Sequence, residues 1–199
     1  MEIKCYEAGP LGTNMYIVNH NSICFIIDPA GYPAEMDDVI GSLSSPPDGI
    51  LFTHGHIDHV LGAKRLTDKF TNLSVWIHEK DIPLYEMAEK QAASFGLPFF
   101  GLPPVKTFDG FESFFKVLHT PGHSKGSVCL YCEEENVIFT GDTLFHASVG
   151  RTDFWGGSWP ELENSIKNKL FTLPPKTICY PGHNEETTIG WEVRNNPFF

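Results

Sequence analysis

The segment 53–59, Thr-His-Gly-His-Ile-Asp-His, constrains the fold and chemistry of this chain more than any other part of the sequence. It places three imidazoles and one carboxylate within six positions, directly after the apolar segment 50–52. A hydrolytic metal centre needs nitrogen and carboxylate ligands at this density. The alternative interpretation is a chance cluster of loop histidines, or histidines that fill gaps in the core. We interpret the run as a predicted metal site.

The sequence around this run places it between a strand and a helix. The apolar residues before it have the composition of a short buried strand, and the apolar spacing over 58–70 predicts an amphipathic helix. In an extended loop His54 and His56 point to the same side, whereas Asp58 and His59 open the helix and turn toward a different point. One segment could therefore provide ligands for two metals.

Three further candidate ligands follow strand-like apolar segments later in the chain. His123 ends the motif His-Thr-Pro-Gly-His, Asp142 ends Phe-Thr-Gly-Asp, and His183 ends Tyr-Pro-Gly-His. The ends of strands are rigid supports whose loops are free to carry chemistry. We expect these side chains to complete the coordination shells that one loop cannot fill.

The four motifs, in this order, resemble those of the metallo-β-lactamase superfamily. The resemblance runs from the first strands to the last residues and implies seven ligands around two metals. The ligands are His54, His56 and His123 at the first metal, Asp58, His59 and His183 at the second, and Asp142 as a bridge. In having a bridging carboxylate, the chain is similar to the glyoxalase II, ribonuclease Z and lactonase branches of the superfamily. The antibiotic-hydrolysing lactamases typically lack a carboxylate at this position.

The resemblance implies an α/β (α+β) fold, a four-layer αββα sandwich of two mixed sheets flanked by helices, with the metals along one sheet edge. The apolar patterns predict strands at 3–7, 15–18, 23–27, 50–53, 74–78, 105–108, 114–118, 127–132, 137–139 and 177–180, and helices at 34–43, 58–70, 81–93 and 159–171. We expect a single domain over residues 1–199. The segment 95–104, rich in Gly, Pro and Phe, is either a linker or a flexible apolar flap. Asp28 is interpreted as a turn residue, which the resemblance places behind the metals.

Composition excludes several classes of partner. The chain has 14 basic and 25 acidic residues, a net charge of −11, and no basic stripe, which argues against nucleic-acid binding. No apolar stretch is long enough to cross a membrane and the start does not resemble a signal peptide, so we expect a cytoplasmic protein. The five cysteines are expected to be reduced. Cys129 and Cys132 have the spacing of a redox pair, but residues three apart on a strand face opposite sides and cannot converge.

The expected chemistry follows from two metals about 3.5 Å apart, most simply zinc, with iron or manganese also suited to these ligands. A water shared between them would become a hydroxide near neutral pH and attack a carbonyl carbon. Asp58 would orient this hydroxide and could carry the proton to the leaving group, which makes it the candidate catalytic residue. No serine or cysteine nucleophile is required.

The substrate is inferred from the segment 150–153, Gly-Arg-Thr-Asp, and from the ending 195–199, which resemble the short hydroxyacylglutathione hydrolases. This implies cleavage of a small thioester such as lactoylglutathione. Only 16 residues follow the last motif, so we expect no separate carboxyl-terminal helical domain of the kind that contacts glutathione in full-length glyoxalase II. Arg151 and Lys125 could bind a substrate carboxylate, or be surface charges with an ion pair between Arg151 and Asp153. His146 could reach the rim of the cleft.

Three alternative functions are compatible with these residues to different degrees. The Gly-Arg-Thr-Asp segment also resembles the persulfide dioxygenases, which hold one iron with two histidines and an aspartate. A lactonase or another metallohydrolase of the same superfamily would use the same ligands. A binding module stabilised by metal is disfavoured, because structural zinc sites favour closed, cysteine-rich shells. The sequence does not indicate an oligomeric state.

Overall fold

A computed structural model describes residues 1–199 and contains two five-stranded sheets. The first half of the chain supplies one sheet and its helices: β1 (Glu2–Ala8), β2 (Thr13–His20), β3 (Ile23–Ile27), α1 (Pro33–Ser42), β4 (Gly49–Leu51), α2 (Ile57–Val60), α3 (Ala63–Lys69), β5 (Ser74–Trp76), a 3-10 turn (Glu79–Asp81), α4 (Ile82–Glu86) and α5 (Ala88–Phe95). The strand order is β1-β2-β3-β4-β5, antiparallel up to β3 and parallel from β3 to β5.

The second half supplies the other sheet, a separate two-stranded hairpin and the remaining helices: β6 (Lys116–His119), β7 (Val128–Cys132), β8 (Val137–Gly141), the hairpin β9 (Leu144–Phe145) and β10 (Ser148–Val149), α6 (Trp159–Ser165), a π-helical turn (Ile166–Leu170), β11 (Ile178–Pro181), β12 (Thr187–Thr188) and α7 (Ile189–Asn195). The order is β12-β11-β8-β7-β6, with a parallel pair between β8 and β11 and antiparallel pairs elsewhere. Both sheets are therefore mixed.

Three apolar clusters show how the layers stack. Alternation along β2 sends Met15 and Ile17 toward the helices of the first half and Tyr16 and Val18 toward the second sheet. The middle cluster combines side chains from both sheets, and a third cluster packs the outer face of the second sheet on α6 and the π-helical turn. The four layers are helix, sheet, sheet, helix, which confirms the predicted αββα sandwich.

The cysteine pair lies as predicted on the two faces of one strand. Cys129 belongs to the cluster between the second sheet and its helices, whereas Cys132 belongs to the cluster between the sheets. All five cysteines are free thiols, and only Cys5 is exposed. The Cys-x-x-Cys spacing therefore reflects strand periodicity.

Two predicted helices are broken in the structure. The helix expected over 58–70 consists of α2 and α3, separated at Gly62. A Cβ on Gly62 would lie 2.7 Å from Met36 Sδ. The backbone N–H of Gly62 donates a hydrogen bond to Pro29 O at 2.7 Å. The chain therefore bends to pack on the loop that follows β3. The helix expected over 81–93 is likewise divided, at Met87, into α4 and α5.

Some other elements were predicted wrongly, and some were not predicted. The segment 105–108 is not a strand, because only Lys106 forms a bridge, to Trp76 at the sheet edge. The strand expected over 114–118 begins at Lys116. The hairpin β9–β10, the short β12 and helix α7 were not predicted at all. Thr188 caps α7 by accepting a hydrogen bond from Trp191 N at 3.2 Å.

The segment 95–104 leaves helix α5 through Gly96, which has the left-handed conformation (φ 65°) common at helix ends. Leu97, Phe99 and Leu102 then pack against the core of the first half. The segment is thus a connection anchored by these three side chains, while Phe95 and Phe100 remain exposed. No helix in the structure combines the length and the apolar character needed to span a membrane.

Candidate metal centre

The seven candidate ligands come together at the edge where the two sheets meet. The loop after β4 provides His54 and His56, and α2 provides Asp58 and His59. The second sheet provides the other three, each directly after β6, β8 or β11: His123, Asp142 and His183. Five lie at the carboxyl ends of strands or in the connections that follow them, and Asp58 and His59 lie in the helix that begins just after β4, so the rigid sheets fix the relative positions of all seven.

One group of three contains only histidines. His54 Nε2 lies 3.2 Å from His123 Nε2, and His56 Nδ1 lies 2.8 Å from the same atom. The three nitrogen atoms converge within the range that one metal ion can bridge. Nitrogen atoms this close need either a shared proton or a shared cation between them.

A second group combines two histidines with a carboxylate. Asp58 Oδ2 lies 3.4 Å from His183 Nε2 and 3.6 Å from His59 Nε2. These atoms also converge closely enough to hold one ion. The division of the Thr-His-Gly-His-Ile-Asp-His run between two groups is thus present in the geometry.

Asp142 lies between the two groups. Its Oδ1 is 3.3 Å from His59 Nε2 in the second group, while its Oδ2 is 3.5 Å from His123 Nε2 in the first. His59 Nε2 and Asp142 Oδ1 are buried and have no hydrogen-bond partner. Buried polar atoms are almost always satisfied, so this unpartnered pair fits a bound cation.

Asp28 orients the histidines from behind. Its carboxylate accepts hydrogen bonds from Thr53 N at 2.8 Å, Thr53 Oγ1 at 2.6 Å and His59 Nδ1 at 2.9 Å. Because the Thr53 hydroxyl donates to Asp28, it accepts from His54 Nδ1 at 3.0 Å. The Nε2 lone pairs of His54 and His59 then both face the centre. Asp28 also lies within ligand distance of these rings, but its oxygens are already occupied.

Two further contacts hold ligands in place. His123 Nδ1 donates to the carbonyl oxygen of Arg151 at 2.8 Å, which leaves its Nε2 as the acceptor that faces the centre. Thr13 Oγ1 donates to Asp58 Oδ2 at 3.2 Å. At Gly182 a Cβ would overlap Asp142 Oδ1 and lie 2.7 Å from His59 Cε1, so only glycine fits beside this carboxylate.

Asp81 joins the two ligand-bearing loops, and nothing in the sequence indicated this role. Its Oδ2 accepts from Gly55 N at 2.9 Å, between the first two histidines, and from Ser124 Oγ at 2.7 Å, next to His123. Its Oδ1 accepts from Gly126 N at 2.5 Å. Asp81 is buried, so it clamps the loops that carry the histidine group.

The charges of the centre favour metal binding. Burial, and then the neighbouring His123, lower the pKa of His56 to about 3, and burial lowers the pKa of His54 well below its usual value. Burial opposes the charged form of His59, but Asp142, Asp58 and Asp28 together raise its pKa above the usual value. His54 and His56 therefore favour their neutral forms, whose lone pairs can bind a metal, and the carboxylates around His59 supply the negative charge.

A cavity of about 640 Å³ opens at the metal centre. His56, Asp58, His123, Asp142 and His183 lie in its wall, and eight of the sixteen lining residues are hydrophobic. Its volume falls within the range typical of small-molecule sites. The candidate ligands are thus accessible to a substrate from one side.

The residues predicted to bind substrate have different positions. Arg151 lines the cavity, but its guanidinium pairs with both Asp153 oxygens at 2.6 Å and lies 3.8 Å from the Phe154 ring centroid. The ion pair considered as the alternative is therefore present. Lys125 lies outside the cavity and pairs with Glu161 at 3.0 Å.

His146 also lies outside the cavity lining. It pairs with Glu185 and packs edge-on against Trp191, with 4.4 Å between ring centroids. The side chain is held by α7 and the loop before β12, two parts of the chain that the sequence patterns left unassigned. Its closeness to Asp142 in sequence does not bring it to the substrate side.

A comparison with family models matches residues 8–183 to the metallo-beta-lactamase superfamily. Among curated proteins, the chain is 40% identical over 184 residues to hydroxyacylglutathione hydrolase GloC of Haemophilus influenzae. That match covers 87% of this chain and 85% of the relative. The predicted enzyme class, a metal-dependent hydrolase, is confirmed by these matches.

Two solved structures are similar over nearly the whole chain. TTHA1623 in a di-iron-bound form has a TM-score of 0.93 and 39% identity, covering 98% of this chain and all of its own. The BLEG-1 B3 metallo-beta-lactamase has a TM-score of 0.84 and 34% identity, with 99% of each chain covered. With its fold, its ligand groups and these matches, the chain belongs to the metallo-beta-lactamase superfamily.

Proposed function

We propose that this protein is a dinuclear metal-dependent hydrolase that cleaves a thioester of the 2-hydroxyacylglutathione kind. The observation that carries the proposal is the pair of ligand groups joined by Asp142 at the wall of one accessible cavity. The name of the GloC relative supports the substrate class.

The seven side chains fit two divalent ions. His54, His56 and His123 would hold one and Asp58, His59 and His183 the other, with an oxygen of Asp142 for each. Bound there, such ions supply Lewis acidity, which polarises a carbonyl oxygen and lowers the pKa of water toward 7. The donor set of imidazoles and carboxylates suits both zinc and iron, and the similarity to a di-iron structure supports iron as strongly as the ligand chemistry supports zinc.

Asp58 is the residue we assign to proton movement. It borders the cavity, and Thr13 Oγ1 orients its Oδ2. Burial would raise the pKa of Asp58, but His59 and His183 lower it below the usual value, so the carboxylate form prevails. A carboxylate at this position accepts the proton of the attacking water and releases it toward the departing sulfur. Thiols have a pKa near 8.5, so a thiolate leaves with little assistance.

Arg151 has only a local part in this proposal. Its carbonyl oxygen fixes the His123 ring, while its guanidinium remains paired with Asp153. Lys125 and His146 are not included, because neither lines the cavity. A small-molecule thioester is the proposed partner, and a cytoplasmic location stays a prediction.

Metal analysis combined with a substrate panel tests the proposal. Purified protein, loaded separately with zinc and with iron, should bind about two metals per chain. The panel contains lactoylglutathione, a lactone, a chromogenic β-lactam and glutathione persulfide, with protein stripped by a chelator as the control. We expect thioester cleavage without oxygen consumption, and its loss in the stripped protein.

The other outcomes identify competing functions. If the protein binds one iron per chain and consumes oxygen with the persulfide, it is a dioxygenase and not a hydrolase. Faster cleavage of the lactone or the β-lactam than of the thioester would support the metal centre but show that the substrate is that of another branch of the superfamily. The similarity to a B3 metallo-beta-lactamase makes the β-lactam a necessary member of the panel.

A further inference from the structure

The wall of the cavity that faces the metal ligands is apolar and largely aromatic. It includes Leu11, Met87, Phe95, Phe145, Phe154 and Trp155. Leu11 and Phe95 are each 50% exposed and Trp155 is 57% exposed, although apolar side chains of this size are usually buried. Exposed apolar side chains grouped at the mouth of a cavity mark a surface that binds something apolar.

Aromatic rings stand directly beside both ligand groups. The ring centroid of Phe154 lies 5.7 Å from that of His56, and the ring centroid of Phe145 lies 6.1 Å from that of His183. Phe95 extends this wall outward, 6.3 Å from Phe154. A substrate whose carbonyl carbon is at the metal centre therefore has its neighbouring groups against these rings.

The polar side chains of the same wall are already engaged. Gln91 donates to the carbonyl oxygens of Gly55 and Leu84 and accepts from Ile57 N, so its amide nitrogen and its oxygen are both engaged by backbone groups. Ser94 Oγ donates to the carbonyl oxygen of Lys90. These residues line the cavity but have little left to offer a polar ligand.

The cavity also lacks a free cation. Arg151 is the only lysine or arginine in its lining, and Asp153 occupies its guanidinium from the side. Glutathione carries two carboxylates that need cationic or multiple N–H partners when they are recognised. The wall offers only the one guanidinium that Asp153 already pairs through Nε and Nη2, whereas it offers a broad surface for an uncharged aryl or alkyl group.

We propose that the protein selects its thioester by an apolar acyl group, of which a phenyl ring is the best fit, and not by the charged groups of glutathione. The inference rests on the proposed function. In the reaction water adds to the acyl carbon, the carbon–sulfur bond breaks, and the products are a carboxylic acid and a thiol. The apolar wall holds the acyl side chain while this exchange takes place.

Two matched pairs of substrates test the inference. Mandeloylglutathione and lactoylglutathione differ only by phenyl against methyl on the acyl group. We expect kcat/KM to be at least about tenfold higher for the mandeloyl compound, because a phenyl ring gains more from burial than a methyl group. The mandeloyl thioesters of glutathione and of N-acetylcysteamine differ only in the thiol. We expect their kcat/KM values to agree within about threefold, since a thiol that makes no specific contacts contributes little.

Variants connect the preference to the wall. Trp155→Ala and Phe95→Ala should each lower kcat/KM for the mandeloyl compound about threefold to tenfold, through KM, and lower the lactoyl value less than the mandeloyl value. Trp159→Ala is the matched control, because Trp159 is also partly exposed, at 37%, but packs on Phe198 and Phe199 away from the cavity. Arg151→Gln tests the charge argument directly and should not change the ratio between the two thiols.

The possible failures are distinguishable. If the metal-loaded enzyme cleaves lactoylglutathione as fast as the mandeloyl compound, or if Arg151→Gln selectively weakens the glutathione thioesters, the inference is overturned and the proposed function stands. If no thioester is cleaved while a β-lactam, a lactone or a persulfide reacts, the proposed function fails and the inference fails with it.

Discussion

The two sides of the cavity are built in opposite ways. On the ligand side, each of His54, His59 and His123 has a second hydrogen bond that fixes its ring, and all three side chains are buried. On the apolar side, Phe95 and Trp155 are half exposed and no hydrogen bond fixes them. The difference indicates that the chemistry depends on exact positions, whereas substrate choice depends on a surface that can change without disturbing the metal centre.

The strongest test of this contrast removes the residue shared by both ligand groups. We expect Asp142→Ala to lose most of both metals and at least about 10³-fold in kcat/KM, because the carboxylate contributes to both coordination shells. Metal analysis and steady-state kinetics measure the effect. Asp109→Ala, a change of the same type on an exposed loop, is the control. Full metal content in Asp142→Ala would refute the bridging assignment.

A smaller effect on metal binding is expected from replacing Asp28, which lies behind the ligand histidines. Asn at position 28 keeps the polar shape and tolerates the positive φ of 49° observed there. Asp28→Asn places an amide donor against His59 Nδ1 and so favours the wrong tautomer. We expect a 10- to 100-fold loss of affinity at the second metal and a smaller loss at the first, because Asp28 contacts His59 directly but reaches His54 only through Thr53. Stepwise metal titration resolves the two sites, with Asp38→Asn on the surface of α1 as the control. Equal loss at both sites would contradict the assignment.

The next smaller effect is expected at Asp81, which clamps the two ligand-bearing loops together. Asp81→Ala leaves the buried N–H groups of Gly55 and Gly126 without an acceptor, while Ser124 Oγ keeps Ser127 Oγ as a partner, and we expect it to lower the free energy of unfolding by about 3 kcal/mol. The first metal should bind about tenfold more weakly, since its histidines come from the two loops that Asp81 joins. Chemical denaturation and metal titration measure these effects. Glu79→Ala, two residues earlier and outside the network, is the control. A loss of stability with unchanged affinity at the first metal would show that the clamp does not position ligands.

The smallest effects on stability and metal content are expected on the apolar side. Trp155→Ala should change the free energy of unfolding by less than about 0.5 kcal/mol and leave metal content unchanged, because the side chain is more than half exposed. Thermal unfolding of the metal-loaded protein and metal analysis measure both. Loss of metal from this variant would mean that the two sides are coupled, and the contrast between them would not hold.

The ligands could be predicted from the sequence because each is part of a contiguous motif at the end of an apolar strand. Asp81 could not, since its partners Gly55, Ser124 and Gly126 are distant in sequence and meet only when the halves pack. The same reason explains the error at His146. Nearness to Asp142 in sequence suggested the cleft, but a turn and contacts with Glu185 and Trp191 place it elsewhere.

The fold shows the same limit. Long apolar alternations predicted the main strands and the four layers, because burial on both faces leaves a strong pattern. The two-residue strands β9, β10 and β12 are too short to form a period. The segment 105–108 has the composition of a strand but forms one bridge, because it runs along the edge of β5 only at Lys106.

The hydrogen bonds that orient the ligand histidines have a consequence for how the protein acquires its ions. They run from His59 to Asp28, from His54 to Thr53 and from His123 to a backbone carbonyl oxygen, so all of them form between protein atoms. Folding alone is enough to make them, in contrast to a zinc finger, in which the ion organises the chain. We therefore expect the ions to bind to a scaffold that is already folded, and the ion that is carried to follow the relative supply of metals around the protein.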